Sequence, residues 1–274
     1  MMMGTTLNAL ASATKNTPAG PKMPVLFVGH GTPMNAIAEN EITRGWQQMV
    51  RGLNPVAVLC ISAHWETAGT RVLAVPKPKT IHDFYGFPQE LYAVEYPAPG
   101  SPQVADEIIH TVHPFTVEED HEWGLDHGAW SVIRHMFPNA DIPVLQLSLD
   151  RRLSPQSHVE LAKTLLFLRR RGVLIVGSGN LVHNIRAAKW DSDEPYDWAA
   201  EFDEKARKLI VTNNVAELIR ADELSRAASL SIPTREHYLP LLYAMGLRES
   251  GEEVSFFNEV IQMGSMSMRS FVIS

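Results

Sequence analysis

Apolar runs of strand length alternate along this chain with segments in which apolar side chains recur every three or four residues. Pro24 to Val28, Val56 to Ile61, Pro143 to Leu149 and Val173 to Val176 are near-continuous apolar runs, the pattern of strands buried on both faces. Between them the helical period returns in Asn40 to Gly52, Pro102 to His113, Ala129 to Phe137 and Pro155 to Arg170. Ser154 and Pro155 supply the cap and first-turn proline of the last of these. A further strand is expected at Arg71 to Val75. Asp197 to Ala221 reads as one or two helices, Glu236 to Met245 as another, and Val254 to Ile261 with Ser270 to Ile273 as closing strands. The alternation predicts an α/β fold: a single domain with a central, mostly parallel or mixed sheet flanked by helices. In such sheets ligands sit at the carboxyl ends of the strands, and the site is expected there.

Composition narrows the partners. The chain has 274 residues, 45% of them apolar, enough for a real core without disulfides, since Cys60 stands alone. The formal charge of −7 offers no basic footprint for nucleic acid or an anionic membrane, so a small-molecule partner is favoured. No apolar run is long enough for a transmembrane helix. Residues 1–22, rich in Thr, Ala, Asn, Ser and Pro, read as a flexible leader ahead of a domain over 23–274. Their first cation is Lys15, which argues against an export signal and for a cytoplasmic location. Oligomeric state is open.

The unusual count is 11 histidines against one cysteine. Three follow buried-strand patterns directly: His30 in Val28-Gly29-His30-Gly31, His64 in Ser62-Ala63-His64-Trp65, and His183 in Asn180-Leu181-Val182-His183. Shared strand-end placement is what a metal site assembled from distant positions would show, because neutral imidazole is the commonest metal ligand. His237, beside Glu236, precedes a helix that Thr234 is expected to cap, with Glu236 in its first turn. His127, between Asp126 and Gly128, suits proton transfer or the start of a helix equally well. His110, His113, His121, His135 and His158 read as surface or structural residues, and His82 can reach a substrate from its loop. The loops Pro76 to Pro88 and Tyr96 to Pro102 are long enough to build a site. No His-Glu-x-x-His helix, Cys-x-x-Cys pair or phosphate-binding Gly-rich lysine loop occurs.

Six ordered motifs sharpen this reading. Gly-His-Gly-Thr-Pro-Met-Asn from Gly29, Ser-Ala-His-Trp from Ser62, Tyr-Pro-Ala-Pro-Gly-Ser-Pro from Tyr96, Leu-Asp-His-Gly-Ala-Trp from Leu125, Ser-Gly-Asn-Leu-Val-His-Asn from Ser178 and Glu-His-Tyr-Leu-Pro-Leu-Leu from Glu236 resemble the DODA-type class III extradiol ring-cleavage dioxygenases. That family is related to the catalytic subunit of protocatechuate 4,5-dioxygenase. The resemblance covers nearly everything after Lys22. It implies one divalent metal per chain, Fe(II) for activity with Zn(II) as a plausible bound ion, and cleavage of a DOPA-like catechol ring with incorporation of O2. It implies His30, His64, His183 and His237 as metal-site residues and His183 and His127 as acid/base residues. Better-known superfamily members complete a two-histidine, one-carboxylate set, and here Glu236 and His237 compete for the third position. Trp65, Tyr85 and Tyr238 are candidate walls for the ring. The competing functions are a zinc-dependent hydrolase and a non-catalytic binding protein on the same fold.

Overall fold

The computed structural model describes residues 22–274, so the expected leader falls almost wholly outside the described residues. A six-stranded mixed sheet is formed by β1 (Val25–Gly29), β2 (Ala57–Ser62), β3 (Val144–Gln146), β4 (Val173–Gly179), β5 (Val254–Phe257) and β6 (Ser270–Ile273). Their spatial order is β3-β2-β4-β1-β6-β5. The first four are mutually parallel, and β6 and β5 close the other edge antiparallel. β1, β2 and β4 are buried at every position, which accounts for their uninterrupted apolar sequences.

Helices cover both faces. Along β4 successive side chains point to opposite sides. Ser178 bonds the carbonyl of Gly128 in helix α3 (His127–Met136), while Gly177 and Gly179 lie against helix α6 (Leu239–Gly246) and the turn before it. The remaining long helices are α1 (Glu41–Met49), α2 (Pro102–Thr111), α4 (Pro155–Thr164) and α5 (Asp197–Val211). Asn40, Ser101, Asp126 and Ser154 accept from first-turn backbone N–H groups of α1, α2, α3 and α4.

Several expected boundaries move, each for a local reason. The helix expected over Pro155 to Arg170 breaks at Leu165 into α4 and Leu166–Arg170. Asp197 to Ala221, expected as one or two helices, holds two: α5 ends at Val211, and Val215–Leu218 forms a separate turn of helix beyond Asn213, whose φ is +52°. β5 ends at Phe257, just before Asn258, which is also at φ +52°. Leu149–Asp150 leaves the main sheet to pair with Glu66–Thr67, and Thr70–Leu73 pairs with Val117–Asp120. The last strand, Val-Glu-Glu-Asp, carries too little apolar signal to be foreseen. The helix expected from Glu236 begins at Leu239, where Pro240 occupies its first turn, so Glu236 and His237 belong to the preceding turn. Thr234 does not cap it; its hydroxyl donates to Glu236 Oε1 at 2.9 Å.

Gly179 is a point of close approach between β4 and the turn before α6: a Cβ there would collide with the His237 carbonyl oxygen. Gly179→Ala is expected to lower stability by about 1–3 kcal/mol through overpacking. Urea unfolding checks this, and an unchanged midpoint would show that the turn carrying His237 yields freely.

Candidate metal centre

Three neighbouring strand ends build the site. In the sheet register Ser62 and Val28 both stand beside Ser178, so the residues just after β2 and β1 meet over the end of β4. His30 and His64 thus face each other with Nε2 atoms 3.2 Å apart. The turn ahead of α6, seated against Gly179, brings in His237. Ring centroids of His30, His64 and His237 form a nearly equilateral triangle, at 5.0 Å (His30 to His64), 5.2 Å (His30 to His237) and 5.0 Å (His64 to His237). His183 lies outside this triangle, stacked face to face on His237 at 3.5 Å, and His127 packs against His64 at 3.9 Å. The five histidines singled out in the sequence therefore form one contiguous cluster.

Each triangle member has an acceptor behind its Nδ1. Ser178 gives its own proton to the Gly128 carbonyl at 2.5 Å, so at 3.0 Å it accepts from His30 Nδ1–H. Glu236 Oε1 lies 3.0 Å from His237 Nδ1, and Asp83 Oδ2 lies 3.4 Å from His64 Nδ1. Ser178 and Glu236 place the protons of His30 and His237 on Nδ1, an assignment made by the hydrogen-bond network, and the Asp83 charge favours the same tautomer at His64, so that the Nε2 lone pairs of His30 and His64 face each other. His237 Nε2 is buried with no protein partner. Burial first, then the repulsion of neighbouring imidazoles, holds His30 and His237 well below the usual histidine range. Burial and the His127 charge push His64 down to about 3 against the opposing pull of Asp83, and burial pushes His183 down to about 4 against Glu236.

Inward lone pairs on neutral rings are a donor set for a divalent cation. Two nitrogens each about 2.1 Å from one ion lie roughly 3.0–3.4 Å apart for right-angled to tetrahedral geometry, and the 3.2 Å between His30 and His64 fits. Glu236 sits behind His237 as a carboxylate supporting an imidazole, which explains it better than a helix dipole does.

A second network fixes the strand ends. The His64 backbone N–H donates to Ser62 Oγ at 3.2 Å, and Ser62 donates to Asp126 Oδ1 at 2.6 Å. Gln146 of β3 donates to Asp126 Oδ2 at 2.7 Å, while Asp126 also caps α3. Gly128 is required here, because a Cβ would lie 2.5 Å from Ser62 Oγ. Burial, with the nearby Asp83 charge, raises Asp126 despite these hydrogen bonds.

The expected walls are redrawn. Tyr85 is 91% exposed, Tyr238 is a core residue bonding the Leu218 carbonyl, and Trp65 stacks on Trp123. Phe84 instead packs edge-on against His127 at 5.6 Å. His82 bonds the Val94 carbonyl and packs on Trp130, a structural role. His158 and His135 are buried and bonded to Tyr243 and the Asn35 carbonyl, whereas His110 and His121 are exposed. Asp83 was not singled out from sequence; only the length of its loop pointed there.

An α/β sheet with a cluster of histidines at its parallel strand ends has the donor set of a metal-binding protein. Residues 21–269 match the family model described as the catalytic LigB subunit of aromatic ring-opening dioxygenase. The chain is 45% identical to "4,5-DOPA dioxygenase extradiol" of Escherichia coli K12 over 258 residues, covering 92% of this chain and 95% of that one. It is 36% identical over 252 residues to the Beta vulgaris protein of the same name, covering 89% and 94%. A crystal structure of an uncharacterized Escherichia coli K12 protein superposes with a TM-score of 0.81 at 41% identity, over 92% of this chain and all of that one. The chain belongs to the LigB family of aromatic ring-opening dioxygenases, in its extradiol branch. The family implies a metal ion, a catechol-type substrate and O2. Among the described residues no helix is long and apolar enough to cross a membrane.

The neutral cluster sets a pH dependence for the metal-free protein. Unfolded, these rings take up protons near pH 6.5, whereas folded His183 and His64 do so only at about 4 and about 3. Between those values the unfolded chain binds more protons, so stability falls as pH drops below about 6.5. Urea midpoints measured between about pH 7.5 and pH 5 are expected to decline, and a saturating divalent metal is expected to offset the decline. Midpoints that stay level would refute neutral burial of the cluster.

Proposed function

We propose that the chain cleaves a DOPA-like catechol ring beside its two hydroxyls, with Fe(II) held by His30, His64 and His237. The triangle of inward-facing rings, each backed at Nδ1, carries this reading. It favours His237 over Glu236 as the third donor and makes His183 a flanking residue. Bound there, an iron centre with open positions would bring catechol and dioxygen together and let electron density pass from ring to oxygen.

The chain's own groups manage the protons. A catechol entering at the exposed side of His183 meets a neutral imidazole able to take a phenolic proton, and the same ring can later return it. His127, on the opposite flank beside Asp83, is placed to deliver or take a second proton. Phe84 closes the His127 side with an apolar face, limiting water around the reacting oxygens. A buried, carboxylate-backed histidine set also suits Zn(II), which binds such donors but has no redox chemistry. Zinc-loaded protein would be silent as a dioxygenase. The lone buried Cys60 is compatible with a reducing cytoplasm.

Anaerobic loading with Fe(II), followed by L-DOPA or a simpler catechol and air, is expected to give a yellow ring-opened product with one O2 consumed per catechol. His30→Ala and His237→Ala are expected to abolish metal binding. His183→Ala and His127→Ala are expected to retain metal and lose about 10²–10⁴-fold in kcat. No O2 uptake across a catechol panel, in protein shown to contain Fe(II), refutes the reading. Turnover of esters or amides without O2 would favour the hydrolase alternative.

A further inference from the structure

Asp83 makes three contacts at once, and the site described above uses only one of them. Its Oδ1 accepts the His127 backbone N–H at 2.8 Å. Its Oδ2 lies 3.0 Å from His127 Nδ1 and 3.4 Å from His64 Nδ1. The His127 contact is close but out of line for a full hydrogen bond, so the carboxylate faces that ring nitrogen as an electrostatic partner. One carboxylate thus touches a ring of the triangle and the ring that flanks it.

The loop carrying Asp83 is held from several directions. Ile81 N–H donates to Leu125 O at 2.7 Å and Leu125 N–H to Lys79 O at 2.9 Å, tying the loop to the segment that leads into α3. Trp130 of α3 donates its indole N–H to Ile81 O at 2.8 Å, and His82 bonds Val94 O at 2.9 Å. On the far side Phe84 wedges among His127, Trp130 and Tyr92. A side chain held this way acts as a fixed acceptor.

We infer that Asp83 is a positioning residue that sets the tautomer and orientation of His64 and His127 together, coupling metal binding to proton transfer. An acceptor at Oδ2 keeps the His64 proton on Nδ1, which leaves Nε2 its inward lone pair. The negative charge on the same atom favours the proton of His127 on Nδ1, and Oδ1, through the His127 backbone N–H, fixes where that ring stands against His64. An isosteric amide shows why the charge matters. With its oxygen retained by the His127 backbone N–H, Asp83→Asn would present an NH2 to both Nδ1 atoms. His64 would then accept at Nδ1 and carry its proton on Nε2, where the metal is to sit. Asp83→Ala removes donor and acceptor alike and leaves both rings free to choose.

The inference rests on the metal-centred reading, so the test carries its own controls. Wild type, His64→Ala, Asp83→Asn and Asp83→Ala are compared by Zn(II) affinity in chelator competition, by the visible spectrum of the Co(II) forms, and by kcat and KM of the Fe(II) forms. Wild type is expected to bind one metal and His64→Ala to lose it; failure there defeats the metal reading itself. Asp83→Asn is expected to lose about 10–100-fold in metal affinity, to shift the Co(II) spectrum, and to lose kcat with little change in KM. Asp83→Ala is expected to lose less than Asp83→Asn on every measure. With the controls behaving, wild-type affinity and spectrum in Asp83→Asn overturn the inference. A loss in Asp83→Ala equal to or larger than that in Asp83→Asn also overturns it, since cavity or loop damage alone would give that order.

Discussion

Unprotonated imidazole nitrogens aimed at one another inside a protein repel until a cation is shared among them. In this molecule His30 and His64 stand that way at 3.2 Å, with His237 closing the triangle. Much of the surrounding structure maintains this unfavourable approach. Burial keeps the rings neutral, the Nδ1 acceptors hold their protons outward, and the parallel register of β1, β4 and β2 leaves the chain no other place to put His30 and His64. Ser178 is the pivot of that register, since one hydroxyl both fastens β4 to α3 and orients His30.

The acidic groups are arranged one step back from the centre. Asp83 and Glu236 face ring nitrogens that point away from the triangle, and Asp126 reaches the site through Ser62 and the His64 backbone. In this arrangement the carboxylates supply basicity and orientation through imidazole, as outer partners of metal-binding histidines commonly do. Asp126 also joins β2, β3 and α3 by hydrogen bonds, so the geometry of the centre is tied to the sheet itself.

The buried strands were legible as unbroken apolar runs, and His30, His64 and His183 by their place just after them, whereas His127 and His237 stood out through their neighbours Asp126, Gly128 and Glu236 and through the family motifs. Charged strands were not legible. Val117–Asp120 is held by its ladder with Thr70–Leu73 and by polar contacts such as Arg71 to Asp120, and apolar periodicity has nothing to register there. Helix ends shifted where a proline or a left-handed asparagine overrode the apolar pattern, as at Pro240 and Asn213. Within the site, Glu236 was visible only as a neighbour of His237, and its contact with Nδ1 could not be read from adjacency. Asp83 was hidden more deeply, because it comes from a loop whose path depends on bonds to Leu125, Val94 and Trp130, far away in sequence.

The position of β6 has a consequence for how the molecule comes into being. β1, which leads into His30, is bonded on one side to β4 and on the other to Ser270–Ile273, and Gly29 N–H donates directly to Ser270 Oγ at 3.0 Å. The first strand of the sheet therefore waits for a partner 241 positions further along. During synthesis the earlier strands and helices can collapse locally, but β1 keeps an open edge until Ser270–Ile273 has been made. A nascent chain that still lacks β6 thus carries His30 at the end of an unsealed strand, and the histidine cluster is set only when that long-range pairing closes.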